Sequence, residues 1–252
     1  MSYILCIETG TDTCSVGLAK NGELVALRES AEERDHARRV AVYTNEILEG
    51  HEIDPADLDA VAVSKGPGSY TGLRIGVSFA KGLCYGLGIP LIGVGSLDSL
   101  CEAAREDREA GLIKAADWDS ALLVPMIDAR RMEVFGQVFD TAGNPLTEAG
   151  AWIVDGDSRN CRNADSEGGG LSWDKYLFGV EGDGEVLIFG SGAEKCREVL
   201  PEARFVEVSP SARGMVRLAT RAFNAGKFED TAYFEPFYLK DFVITTTKKK
   251  LF

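Results

Sequence analysis

Residues 3–29, YILCIETGTDTCSVGLAKNGELVALRE, decide the fold class. They divide into three short β-branched or apolar runs: Tyr3–Thr9, Cys14–Lys20 and Glu23–Glu29. Asn21-Gly22 joins the second run to the third, and Asn-Gly between two strand-like runs predicts a two-residue hairpin turn. The chain therefore opens on three strands, the second and third joined as a hairpin. Past them, Ala37, Val40, Ala41, Thr44, Ile47 and Leu48 recur at helical spacing, so about residues 35–49 read as an amphipathic helix. DAVAVSK, residues 59–65, reads as a buried strand, and the Gly-rich turn Gly66-Pro67-Gly68-Ser69-Tyr70 follows it. A second helix is expected over about 71–85, and Leu91–Val94 is one more strand. Ser99 and Glu102 have capping-box spacing, which places the front of a third helix there.

The order β-β-β-α-β-α-β-α predicts a mixed sheet with helices packed against it. The same grammar restarts after a polar stretch near 104–120. ALLVPMID (121–128), residues 133–139 and residues 151–154 read as strands, with a turn at Gly143-Asn144-Pro145. Residues 185–189 and 203–208 are two more, and Ser211–Asn224 is a helix. Duplicated architecture is expected, with no residue-level repeat. The lobes are expected at 1–107 and 108–252. Residues 155–184, rich in Gly, Asp, Ser and Asn, read as an irregular insertion, and Thr245-Thr246-Thr247-Lys248-Lys249-Lys250 as a basic tail.

The chain has 252 residues, 45% hydrophobic and 27% charged, which suits a globular protein able to bury a core. Against 27 Lys+Arg stand 40 Asp+Glu, a net charge of −13. Affinity for nucleic acid comes mainly from cations meeting phosphates, so this chain is not expected to hold RNA or DNA by itself. An anionic membrane surface is disfavoured for the same reason. No basic leader, apolar core and small-residue cleavage site opens the sequence, and no uncharged run is long enough to span a bilayer. The six cysteines form no Cys-x-x-Cys pair and sit mostly in apolar segments, as reduced thiols do. The cytoplasm is the expected compartment.

Two segments have the composition of an anion site. Glu8-Thr9-Gly10-Thr11 closes the first strand, and a carboxylate before a hydroxyl–glycine turn suits phosphate or Mg²⁺. An ordinary strand-end turn fits these residues equally. Gly66, Gly68, Ser69, Thr71 and Gly72 lie between a strand and a helix, where bare backbone and helix amides attract anions. Their spacing is neither a Walker loop nor G-x-G-x-x-G. A tight turn with close helix–strand packing is the competing reading, and the residues alone leave both open. His36 and His51, the only histidines, lack ligand spacing, so no metal site is expected. Asp128-Ala129-Arg130-Arg131 reads as a solvated hairpin tip. The second helix is apolar on two sides: Leu73, Val77, Ala80 and Cys84 on one, and Ile75, Phe79 and Leu83 with Gly76, Gly82 and Gly86 on the other. Either a neighbouring helix covers the second side or a partner does.

IETGTDTCSVGL (7–18), KGPGSYTGLRIGVSFAKGL (65–83), MIDARRMEVF (126–135) and FEPFYLK (234–240) occur in the order and spacing of the TsaB (YeaZ) family. The chain resembles that glycoprotease-like family over nearly its whole length, apart from 155–184 and the last residues. The resemblance implies the actin-like ATPase (ASKHA) fold, an α/β arrangement of two ribonuclease-H-like lobes. It implies a non-catalytic scaffold that pairs with the catalytic subunit TsaD and the ATPase TsaE. Together these attach threonylcarbamoyl to N6 of adenosine 37 in tRNA, which meets this subunit only through the complex. It also implies a partner surface on the two N-terminal helices, carried by His36, Val40, Tyr43, Ile47, Arg74, Ile75, Gly76, Phe79 and Leu83. That surface would serve TsaD or a second copy of the chain. No intrinsic cofactor is implied; ATP or ADP with Mg²⁺ would sit at a composite site with the partners. One departure matters: kinases and ATPases of the superfamily carry Asp where Glu8 stands. The rival reading is a stand-alone small-molecule kinase, ATPase or hydrolase on the same fold.

Overall fold

The first strand, β1 (Tyr3–Glu8), is buried along almost its whole length, as a strand covered on both faces must be. The computed structural model describes residues 1–30, 35–115, 117–155, 160–163, 171–172, 176–177, 180–181, 184–201 and 203–240. β1 pairs antiparallel with β2 (Cys14–Lys20), and β2 with β3 (Glu23–Ser30). The turn between them has Asn21 at φ 52° and Gly22 at φ 87°, the left-handed pair that an Asn-Gly hairpin requires. β4 (Ala60–Gly66) and β5 (Leu91–Gly95) continue the sheet in parallel, in the order β3-β2-β1-β4-β5.

The crossovers are helical. α1 (His36–Gly50) links β3 to β4, and α2 (Tyr70–Leu87) links β4 to β5. Ser69 caps α2 by accepting the Gly72 amide, and Gly88 ends it in the left-handed conformation that glycine adopts without strain. Both helices cover one sheet face, where Val40, Ile47, Val77 and Ala80 meet Leu5, Ile7, Val16 and Val63. α3 begins at Ser96 and runs to Glu109, three residues ahead of the capping box expected at Ser99 and Glu102. Those two residues are buried inside the helix. The Glu102 carboxylate is held by Arg105 and by Arg217, the latter 3.2 Å away on another helix.

The second lobe repeats the order. β6 (Leu122–Asp128), β7 (Glu133–Gly136) and β8 (Gly150–Asp155) are antiparallel, while β13 (Val186–Phe189) and β14 (Arg204–Phe205) extend the sheet in parallel beyond β6. β9 (Asn160–Asn163) and β10 (Leu171–Ser172) lengthen the far edge. A separate pair, β11 (Tyr176–Leu177) and β12 (Val180–Glu181), lies in the expected insertion. β9 and β10 fall in it too, so the stretch expected to be irregular carries strands; its other residues between 156 and 183, and the basic tail, lie outside the described residues. Strand order 3-2-1-4-5, which is the whole of the first sheet and the β8-β7-β6-β13-β14 part of the second, is the ribonuclease-H-like arrangement, so the duplicated α/β architecture stands.

The lobes exchange helices. α3 follows the last strand of the first sheet yet packs on the second, with Leu97, Leu100 and Cys101 against Leu123, Leu187 and Phe189. α4 (Val216–Asn224) and the 3-10 turn before it (Ala212–Met215) follow the second sheet yet cover the first. There Ala212, Met215, Val216 and Ala219 meet Ile4, Cys6, Ala62 and Ile92. α3 and α4 are tied side by side by Arg213–Asp107 (2.9 Å) and Arg217–Glu109 (2.6 Å). A division at 107/108 therefore cuts through α3, and the first lobe is not continuous in sequence. Residues 229–240 run back over the first lobe as a strap: the Glu229 amide donates to Leu91, Lys81 holds the carbonyls of Ala232 and Phe234, and the Phe237 amide donates to Lys65.

Cys6, Cys14, Cys84, Cys101 and Cys196 are free and buried. Burial pushes the Cys84 thiol up to about 11. Among the described residues no helix is long and apolar enough to cross a membrane, and no three His, Cys, Asp or Glu side chains gather as a metal site.

Candidate functional site

A cleft of about 430 Å³ opens between the lobes. Gly10, Thr11 and Asp12 from the β1–β2 turn line it, with Gly68, Ser69, Tyr70 and Thr71 from the front of α2. The second lobe contributes the β6–β7 turn, including Asp128, Arg130, Arg131 and Glu133, with Ser191 beside it. The strap closes one side with Phe237, Tyr238, Leu239 and Lys240.

The two glycine-bearing segments are one packed unit. The Ser69 amide donates to the Gly10 carbonyl at 2.6 Å, and Thr9 Oγ1 donates to the Gly72 carbonyl at 2.8 Å. A Cβ on Gly68 would strike the Gly10 carbonyl oxygen, and one on Gly72 the Thr9 carbonyl oxygen. Gly66 stands at φ 106°, with the Phe237 carbonyl in the space a side chain would need. The glycines are thus required by backbone-on-backbone contact. Of the residues expected around an anion, Gly10, Thr11, Gly68, Ser69 and Thr71 face the cleft, whereas Glu8, Thr9, Gly66 and Gly72 are buried behind it.

Glu8 is the decisive case. Its side chain is 1% exposed, and Oε1 accepts the Gly10 amide at 2.6 Å. Burial pushes its carboxyl up to about 7, against the pull of bonds from Gly10 and Ser64. A carboxyl that is sealed off, half-protonated near neutrality and already bonded to its own turn does not fit the Mg²⁺ role that its superfamily position implies.

The β6–β7 turn is a structured wall of the cleft, which corrects the reading of a merely solvated tip. Lys195, in the short 3-10 turn Glu194–Cys196, pairs with the Asp128 carboxylate and donates to the carbonyls of Arg131 (2.8 Å) and Glu133 (3.0 Å). Ser191 Oγ accepts the Asp128 amide at 3.2 Å. Sequence reasoning assigned neither Ser191 nor Lys195. The signal was present: Gly190-Ser191-Gly192 follows β13 as Gly66-Pro67-Gly68-Ser69 follows β4.

The outer face of α1 and α2 forms a second candidate surface. Val40 and Ile47 are each 1% exposed and point into the lobe's own core. Gly76 is buried against Thr9 and Val63. These three are not surface residues, because the apolar periodicity that selected them is the periodicity of the core-facing side. Tyr43, Ile75, Phe79 and Leu83 are half-buried against the same core. His36 Nε2 sits 3.0 Å from the Thr11 carbonyl and braces the start of α1 against the cleft turn. Arg74 lies 4.2 Å over the Tyr70 ring and donates to Tyr238 Oη at 3.2 Å, fastening the strap to α2. The bare part of α2 is Ser78, Gly82, Tyr85 and Gly86: Tyr85 is 87% exposed, and nothing lies near Cβ positions built on Gly82 and Gly86.

Residues 29–243 match the sequence model of the TsaD family, tRNA N6-adenosine threonylcarbamoyltransferase. The chain is similar to the tRNA threonylcarbamoyladenosine biosynthesis protein TsaB of Escherichia coli, 29% identical over 94% of each chain. It is similar to TsaB of Haemophilus influenzae at 36% identity, over 52% of this chain and 51% of that one. The matched stretch thus spans about half the length of the Haemophilus influenzae relative. Among solved structures, a Pseudomonas aeruginosa protein described as similar to the peptidase YeaZ shares 25% identity with a TM-score of 0.73, covering 95% of this chain and all of that one. YeaZ from Pseudomonas aeruginosa shares 26% identity with a TM-score of 0.67 over the same shares.

Proposed function

The chain belongs to the TsaB/YeaZ family, within the wider TsaD family whose model it matches, and from that premise we propose that it serves tRNA threonylcarbamoyladenosine biosynthesis as a non-catalytic scaffold subunit. It pairs with TsaD, works with TsaE, and reaches tRNA through the assembly. A chain with net charge −13 makes little electrostatic contact with RNA, so the grip on tRNA comes from its partners. Nucleotide and Mg²⁺ then belong to a composite site built with those partners, since Glu8 does not fit a metal loop. The cytoplasm is the compartment this role implies.

The observation that carries the proposal is the bare outer stripe of α2. Gly82 and Gly86 let a second helix approach closely, and Tyr85 offers a large, nearly fully exposed ring beside them. A second copy of the chain could use the same stripe, so a homodimer competes with the TsaD pair for it. The rival reading, a stand-alone kinase, ATPase or hydrolase, loses its main residue with Glu8.

The experiment is reconstitution of tRNA threonylcarbamoylation from TsaD, TsaE, threonylcarbamoyl-adenylate and tRNA. Omitting the chain should abolish modification. Tyr85→Glu and Gly82→Arg should do so nearly as well, with the melting temperature unchanged and co-elution with TsaD lost. Full modification without the chain, or with both variants, would sink the proposal.

A further inference from the structure

Asn21-Gly22 is the only Asn-Gly pair in the chain, and Asn21 is exposed at the tip of the β2–β3 hairpin. The pair carries chemistry as well as conformation. A backbone amide nitrogen can attack the side-chain amide carbon of the asparagine before it and close a cyclic imide. Glycine, with no Cβ, leaves that nitrogen open to react.

Three features of the fold favour the reaction here. The ladder pairs the flanking residues Lys20 and Glu23, so the Gly22 amide stands outside it. Asn21 holds φ 52°, a left-handed conformation that costs a side chain energy, so opening the turn relieves strain. The Ser2 amide donates to Asn21 Oδ1 at 2.9 Å. A donor on that oxygen stabilises the negative charge that develops there during attack, as an oxyanion hole does. Other asparagines lack this setting. Asn45 lies inside α1, and Asn144 precedes Pro145, which has no N–H to attack. The turn also touches the exchanged helix α4: a Cβ on Gly22 would lie 3.3 Å from the Thr220 methyl.

We propose that Asn21 is a site of spontaneous deamidation in the folded protein, and that the product loosens the seat of α4. The Gly22 nitrogen bonds to Asn21 Cγ, the Cγ–Nδ2 bond breaks, and Nδ2 leaves as ammonia with the proton that Gly22 loses. Water then opens the imide at either carbonyl. One route leaves aspartate at position 21. The other leaves isoaspartate, whose main chain runs through Cβ and Cγ and is longer by that methylene. The longer chain does not fit a two-residue hairpin turn, and the displaced turn presses on Thr220. The proposal concerns the chain alone and does not rest on the scaffold reading.

The test is incubation of the full chain at pH 7 and pH 8, followed by peptide mass mapping and labelling with an isoaspartyl methyltransferase. Ammonia loss and label should appear at Asn21 ahead of Asn45 and Asn144. The rate should be about tenfold higher at pH 8, because the deprotonated Gly22 amide is the attacking species. Ser2→Pro removes the donor and should slow the reaction roughly threefold. The isoaspartyl fraction, separated by chromatography, should melt about 3 °C lower than the parent. Asn21→Asp changes the charge but not the chain length, and should melt with the parent. Asn21 left intact in the folded chain while a urea-unfolded sample converts would overturn the proposal. An isoaspartyl fraction that melts with the parent would overturn the link to α4, and a Ser2→Pro chain that reacts as fast as the parent would overturn the donor's part.

Discussion

Glu8 and Asp128 occupy the same place in the two lobes, each at the end of its lobe's first strand where the first hairpin turns over the cleft. Their surroundings differ completely. Glu8 is buried without a cation and bonded to its own turn. Asp128 is exposed and paired with Lys195. The difference extends to the crossovers behind them. In the first lobe a glycine loop leads into the 18-residue α2; in the second, Gly190-Ser191-Gly192 leads only into the 3-10 turn that supplies Lys195. One topology thus carries two jobs. The first lobe seals its hairpin to build a long, outward-facing helix, and the second keeps its hairpin charged and open to the cleft.

The largest expected effect tests whether the two glycine loops are equivalent. A Cβ on Gly68 meets the Gly10 carbonyl, and one on Gly192 meets the Ile127 backbone at 2.9 Å. Gly68→Ala and Gly192→Ala should each destabilise by about 3 kcal/mol, as overpacking against backbone does. Urea denaturation measures both; a harmless Gly192→Ala would break the equivalence.

Next comes Glu8. Its folded pKa, about 7, lies above the ordinary 4.5, so the folded chain holds the proton more tightly than the unfolded one. Stability is therefore lost as pH rises from about 4.5 to about 7, and the full penalty applies above that. Glu8→Gln should match the parent at pH 4 and exceed it by up to about 3 kcal/mol at pH 8. Melting curves across that range decide it, and a gap independent of pH would show that the carboxyl is not buried as described.

Smaller still is Gly82→Ala, which should raise monomer stability by about 0.8 kcal/mol through helix propensity while weakening association through α2. A rise in both would move the partner surface elsewhere. Smallest is Asp128→Asn: an exposed ion pair is worth under about 1 kcal/mol, so thermal stability should barely change where Glu8→Gln changes it clearly.

What was legible in the sequence was local. A short apolar run and the Asn-Gly turn place β2 at Cys14–Lys20, the range the structure has. What was hidden depends on residues far along the chain. Ser99 and Glu102 have the spacing of a cap, but Arg217, from a helix 115 residues on, claims the carboxylate inside α3. Asp128 through Arg131 looks like an unsupported tip until Lys195, 67 residues later, is seen beneath it. The glycine loops were visible as glycines, yet their reason, a carbonyl from a distant turn, was not. Apolar spacing located the helix faces but favoured the inward one, which is why Val40 and Ile47 belong to the core and Tyr85 to the surface.

The helix exchange between the lobes sets a schedule for synthesis. Chains commonly fold from the N-terminus as they leave the ribosome. Here Ile4, Cys6, Ala62 and Ile92 form one face of the first lobe's sheet, and their cover, Ala212 through Ala219, is made only after every strand of the second sheet. Until then the nascent protein carries an apolar sheet with one side unclosed. The first lobe is begun before the second and closed after it, so an interruption of translation between the first sheet and residue 212 leaves an aggregation-prone face on the ribosome.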